Sequence, residues 1–176
     1  MAKSSGGDRH PQASMAGMVL IRVFLGAFFL YTGLSKLTTF HQTMGDAFIN
    51  LLRNATSGDI PSHGMNLVTH SIWPFYADFL VNVVNPHVEM FAWMVIIGEI
   101  LVGALFIIGL LTRGAALVAF IMNCCYLLGT YHLGLPQQGL NIAFIIMELA
   151  VFIAAAGRTL GIDYFLAAHT RVKLFW

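Results

Sequence analysis

Four apolar stretches run through this chain, and each carries one or two groups that lipid rejects. Arg22 and Lys36 sit in the first, Glu99 in the second, Asn123 in the third, and Asn141 and Glu148 in the fourth. An ionisable side chain near a bilayer centre costs at least about 2.5–3.5 kcal/mol, so such groups face a bundle interior and mark pairing or function. The chain is 58% hydrophobic and 10% charged, whereas a soluble domain carries about 25% charge. That composition describes an integral membrane protein. A formal net charge of +1 and the absence of any basic run give no footing for nucleic acid.

A membrane span takes roughly 20 mostly apolar residues. Segments 16–37, 92–111, 114–130 and 139–156 qualify. The stretch 73–84 is short and holds Pro74 and Asp78, so it reads as interfacial. Residues 1–14 are polar and are expected to be disordered. The first apolar run follows Lys3 and Arg9 as a signal peptide would, but it is too long, carries Arg22 and lacks a small-residue cleavage site. It is expected to stay as a signal anchor. The organisation is thus a 1–14 N-terminus, a 15–166 membrane domain and a 167–176 tail. Cys124 and Cys125 are adjacent and lack C-x-x-C spacing, so they read as packing residues.

Lys and Arg gather on the cytoplasmic side of membrane proteins. Lys3 and Arg9 precede the first span, Arg113 lies in the second connection, and Arg158, Arg171 and Lys173 follow the last span. The first connection, 38–91, sets Arg53 against Asp46, Asp59, Asp78 and Glu89. The expected topology is multi-pass in the cell's inner membrane with both termini cytoplasmic. Segment 38–91 is too long for a passive loop. Phe40, Met44, Phe48, Leu51 and Leu52 follow helical spacing, which predicts an amphipathic helix ending near Arg53, then a turn region over 54–62. A second amphipathic piece starts at Trp73–Pro74 and ends before Asn85–Pro86. This segment is either a lid lying flat on the bundle, or else a docking surface for other membrane-complex subunits or a roof over a ligand site.

Helical offsets gather the polar groups into stripes. One face of the first span reads Arg22, Gly26, Phe29, Gly33, Lys36. The second gives Glu99, Gly103, Phe106, Leu110, Arg113. The third offers Ala116, Ala119, Asn123, Leu127 and Thr130, and the fourth Asn141, Glu148 and Ala155. Small residues let membrane helices approach, and polar ones bond across the contact. The reading is an all-α fold, a four-transmembrane-helix bundle with a polar seam. Depth predicts two ion pairs, Lys36–Glu99 at the outer end and Arg22–Glu148 at the inner end. Glu99, Lys36 and Glu148 are the candidates for chemistry, and they either fix helix register or handle protons or a ligand headgroup. Arg22, Asn123, Asn141, His87 and His132 join them as candidate binding residues. His41, His63, His70, His87 and His132 fall on the predicted outer side, but none has H-x-x-x-H spacing, so no metal site is expected.

The pattern resembles the DoxX/DoxD family, which includes the small membrane subunit of thiosulfate:quinone oxidoreductase. The matching residues begin with Arg22-x-x-x-Gly26-x-x-Phe29-x-x-x-Gly33-x-x-Lys36. Phe75-Tyr76-x-x-Phe79-Leu80 and Val83-Val84-x-Pro86-His87 follow. The most specific run is Phe91-Ala92-Trp93-x-x-x-x-Gly98-Glu99-x-x-x-Gly103, continued by Gly109-Leu110-x-Thr112-Arg113. Asn123-x-x-Tyr126-Leu127, Asn141 and Ala156-Gly157-Arg158-x-x-Gly161-x-Asp163 complete it. The resemblance covers about residues 16–166, whereas 40–72 departs from the compact forms of the family. It implies a four-helix membrane bundle and quinone-linked redox chemistry within a larger assembly, with quinone as the ligand and lipids and other subunits as partners. The chain has no cofactor motif of its own: no Gly-rich dinucleotide turn and no C-x-x-C. Two other readings stand beside it, a non-catalytic accessory subunit of a respiratory or photosynthetic membrane complex and a small transporter. Replacing Glu99 and Glu148 separately tests a chemical role. At least one variant should lose activity while folded; full activity in both excludes the role.

Overall fold

The computed structural model describes residues 11–38, 46–56, 67–68 and 71–169. Its helices are α1 (Pro11–Thr38), α2 (Asp46–Thr56), α3 (Pro74–Phe79), α4 (Val88–Ile108), α5 (Thr112–Thr130), α6 (Leu135–Ala154) and α7 (Ile162–His169). Four helical runs are long and apolar enough to cross a membrane: Met15–Leu37, Pro74–Ile108, Thr112–Leu133 and Leu135–Ala154. The predicted four-span bundle is the observed architecture.

Three glycines decide how α1 meets α4. A Cβ on Gly103 would lie 2.5 Å from the Leu30 nitrogen, and one on Gly26 would lie 2.9 Å from the Ile107 nitrogen. A Cβ on Gly33 would lie 3.0 Å from the Ile100 nitrogen. The two backbones therefore touch, as small residues allow between membrane helices. This antiparallel register sets Gly26 opposite Ile107 and Gly33 opposite Ile100, and so brings Lys36 level with Glu99. α5 packs on α6 as a second close pair, and the core between the pairs is Leu25, Phe29, Val102, Phe106, Ala119 and Phe144.

Several boundaries differ from the sequence reading. α1 starts at Pro11, inside the segment read as disordered. α4 stops at Ile108 because Gly109 turns left-handed at φ 66°, the common helix-ending device, so Leu110 and Arg113 leave the α4 stripe. α6 starts at Leu135, with Pro136 in its first turn where a missing N–H costs nothing, and stops at Ala154. Residues 54–56, read as turn, are the last residues of α2; positions 39–45 of the predicted outer helix and 57–62 of the predicted turn lie outside the described residues. The α3 piece does not end before Asn85. It runs on through a π-helical turn at Leu80–Val84 and a 3-10 turn at Asn85–His87 into α4. The Phe79 and Phe91 rings meet edge-on at 6.2 Å, although a straight helix would separate them by about 18 Å. The chain thus folds back at Pro86, which supplies no N–H and kinks the run. α2 lies against the start of α4, with Ile49 and Leu52 on Val88 and Ala92. Asn85 Nδ2 ties the bend to α2 by donating to the Arg53 carbonyl and to Thr56 Oγ1.

At the opposite end of the bundle, Arg22 and Asp163 lock two loops. Arg22 is 1% exposed. It donates to the carbonyls of Ala156 at 2.9 Å, Leu160 at 2.9 Å and Thr159 at 3.4 Å. These carbonyls belong to the loop between α6 and α7, where no α-helical ladder extends over them. Asp163 accepts from the Leu111 and Thr112 amides at 2.7 and 2.9 Å, capping the start of α5 with a negative charge. Its own amide donates to the Gly109 carbonyl at 2.9 Å. A Cβ on Gly157 would collide with the Asp163 carboxylate and Thr112 Oγ1, so the loop closes only over glycine.

The predicted Arg22–Glu148 ion pair is therefore absent. The last turn of α6 carries Arg22's partners past Glu148 to carbonyls at the helix end, and Asp163, which lies beyond the spans, supplies the nearby negative charge. In thermal unfolding in detergent, Arg22→Met and Asp163→Asn should couple by about 0.5–3 kcal/mol, whereas Arg22→Met and Glu148→Gln should add within about 0.5 kcal/mol. Equal coupling to both acids would contradict the observed partnership.

Candidate functional site

The polar groups of the other half of the bundle surround one cavity of about 250 Å³ between α1, α4, α5 and α6. Lys36 Nζ donates to Glu99 at 2.7 Å on Oε1 and 2.5 Å on Oε2. Tyr126 Oη donates to Glu99 Oε1 at 2.7 Å. Glu99 is 2% exposed, and the Lys36 side chain is 24% exposed, so the ion pair reaches from the core to the cavity mouth. A buried carboxylate without such partners would be strongly unfavourable. Asn123, Asn141, Gln137 and Thr130 add amides and a hydroxyl to the wall. Asn141 Nδ2 donates to Thr130 Oγ1 at 3.0 Å. Asn123 Nδ2 donates to Glu148 Oε1, and Glu148 Oε2 has no hydrogen-bond partner among the described residues.

The apolar wall is aromatic. The Phe28 and Phe144 rings meet at 4.6 Å where α1 crosses α6, and Phe29 meets Phe144 edge-on at 6.5 Å. These rings form the apolar wall of the cavity. Phe28 and Leu140 also lie on the outside of the bundle, 38% and 45% exposed, so the cavity borders the lateral face between α1 and α6. The site is thus a ring-sized slot with an ion pair, a phenol and amides on one side and phenyl rings on the other. Its volume is below the roughly 300 Å³ at which sites for whole drug-sized ligands begin.

Of the sequence-derived candidates, Lys36, Glu99, Asn123 and Asn141 line this cavity. Glu148 stands one hydrogen bond behind it, through Asn123. Arg22 does not belong to it. His87 sits at the α3–α4 bend with its Nδ1 3.1 Å from the Val83 carbonyl, and His132 lies in the turn after α5. Neither is among the cavity's described lining residues, because α4 carries His87 past the end of α1 and the turn carries His132 past the end of α5. His41, His63 and His70 lie outside the described residues. The helical-offset reading did not pick out Tyr126 or Gln137. Tyr126 was within reach of that reasoning, since Asn123 and Tyr126 are three residues apart and so share a face. Gln137 carried no sequence signal, because the start of α6 was placed too late to include it.

The Lys36–Glu99 pair gives a direct test. Lys36→Met should destabilise the folded protein by about 3–5 kcal/mol by stranding the carboxylate, and the double variant Lys36→Met/Glu99→Leu should recover most of the loss. A double variant as unstable as the single one would show that the pair does not set stability.

The model of one protein family, described as "DoxD: TQO small subunit DoxD", matches residues 18–175. A search of curated proteins and a search of solved structures each found no match.

Proposed function

Since this chain belongs to the DoxD family, a membrane subunit of a thiosulfate:quinone oxidoreductase-like complex, we propose that its α1–α6 cavity receives the headgroup of a membrane quinone. The observation that carries this reading is the coincidence of polar donors and aromatic faces in a ring-sized slot beside the lateral surface. A lipid-soluble quinone reaches its site sideways from the bilayer, and the mouth beside Phe28 and Leu140 lies on that route. A quinone ring stacks on phenyl faces, as Phe28, Phe29 and Phe144 provide. Its carbonyl oxygens gain negative charge on reduction, and the Lys36 ammonium at the wall stabilises that charge. Glu99 holds Lys36 and Tyr126 in place by accepting from both. Electrons enter from another subunit of the complex, and the chain's own contribution is to bind, orient and neutralise.

In this reading the α2–α3 end carries the contact with other subunits. Ile72, Trp73 and Phe75 are exposed there, and Arg53 and Glu89 form an exposed 3.4 Å pair where α2 meets α4. The charge bias supports an inner-membrane orientation with both termini in the cytoplasm, which puts the cavity mouth toward the outer side.

Leu140→Trp fills the slot from its exposed side without touching the Lys36–Glu99 pair. In the assembled complex it should lower thiosulfate-dependent quinone reduction at least about tenfold, equivalent to about 1.4 kcal/mol, chiefly through a higher KM for quinone. Unchanged quinone kinetics with normal assembly would reject the headgroup site and leave the accessory-subunit reading.

A further inference from the structure

A second cavity, larger than the quinone slot, lies at the other end of the bundle. It is a groove of about 630 Å³ where the α6–α7 loop and α7 lean away from the end of α4. Its walls include Ile108, Leu160, Ile162, Tyr164 and Phe165, with Arg158 at one side. Leu160 is 81% exposed and Phe165 66% exposed. Leu160 also holds a left-handed backbone at φ 53°, a conformation that costs a non-glycine residue of order 1 kcal/mol or more. Arg22 fixes that conformation by binding the Leu160 carbonyl from inside. The buried lock thus holds a large apolar side chain outward, where the protein itself gives it little cover.

Arg158 is the charged residue on the described wall of this groove. Asp163, the nearby acid, is engaged with the Leu111 and Thr112 amides. By contrast, the polar clefts beside α2 at the other end balance Arg53 with Glu89. An apolar trough with a guanidinium at its edge, at the level where a span ends, is complementary to a molecule with a long hydrocarbon body and a negative phosphodiester head. A guanidinium has five N–H donors, so a contact with the protein leaves donors for a phosphate. Tyr164 adds the amphipathic ring that favours headgroup depth.

We infer that the groove between α4 and α7 is a binding site for one anionic phospholipid, its acyl chains on Ile108, Leu160 and Phe165 and its phosphate on Arg158. The site stands independently of the quinone reading, because it uses different residues at the opposite end of the bundle.

Native mass spectrometry of the purified full-length protein tests it, with phosphatidylglycerol, phosphatidylcholine and inorganic phosphate as separate probes. The protein should retain phosphatidylglycerol over phosphatidylcholine by about tenfold, the ratio that about 1.4 kcal/mol represents. Arg158→Gln should remove that preference while still binding phosphatidylcholine. Phe165→Glu, at an exposed position, should weaken retention of both lipids by setting a carboxylate among their acyl chains, and it tests the groove if Arg158→Gln does not fold. The site is refuted if the wild type retains both lipids alike or neither, which would leave the groove to a protein partner. It is also refuted if folded Arg158→Gln keeps the wild-type preference, if folded Phe165→Glu retains both lipids at the wild-type level, or if inorganic phosphate alone competes as well as the lipid does.

Discussion

Glu99 is a carboxylate placed about eleven residues into a helix otherwise fit for lipid, and its contact with Lys36 is what the upper half of the bundle is arranged around. The contact exists because α1 and α4 touch backbone to backbone at Gly26, Gly33 and Gly103. A larger residue at any of these points would separate the helices or shift their register, and the ammonium would no longer reach both carboxylate oxygens. Tyr126 then joins from α5, which ties the second helix pair to the first through the same oxygen. One charge pair thereby fixes three helices and leaves a polar wall facing α6. The cavity is what remains when those groups are satisfied and the Phe28–Phe144 contact forms its apolar wall.

The Arg22–Asp163 lock works by a different logic. The bonds described for it run from side chain to backbone. Arg22 serves carbonyls of the α6–α7 loop, and Asp163 serves amides left over where α5 begins. Helix ends inside a membrane have no water to satisfy them, and each unsatisfied group costs several kcal/mol there. Two charged residues thus supply what two short loops cannot, and the loops are free to adopt the left-handed turns at Leu111, Ala155 and Leu160.

Much of this was legible in the sequence. Four long apolar stretches, a glycine stripe and the depth of Glu99 led directly to the bundle, the α1–α4 face and the Lys36–Glu99 pair. Those signals are periodic and local, so they survive without coordinates. Arg22 was misassigned because depth alone cannot separate a carboxylate on a neighbouring helix from a carbonyl at its end. Asp163 was passed over because it lies outside the spans, although it forms part of the family pattern. The fold-back at Pro86 was hidden for a related reason: the proline was read as a stop, whereas the chain continues as a helix in a new direction. Tyr126 and Gln137 show the same limit on a smaller scale, since a cavity wall is made of residues from four helices and no one helix displays it.

The two close helix pairs have a mechanical consequence. α1 and α4 are joined by glycine contacts along their length, and α5 and α6 form the other extensive contact, while α1 and α6 meet more sparingly. The seams between the pairs, α1 with α6 and α4 with α5, are therefore the compliant ones. A small rotation of one pair against the other would widen the slot while both pairs stayed intact, with the lock at the far end as the pivot. Entry of a bulky ring would then cost flexing between the two pairs, and closure behind it would need no separate lid.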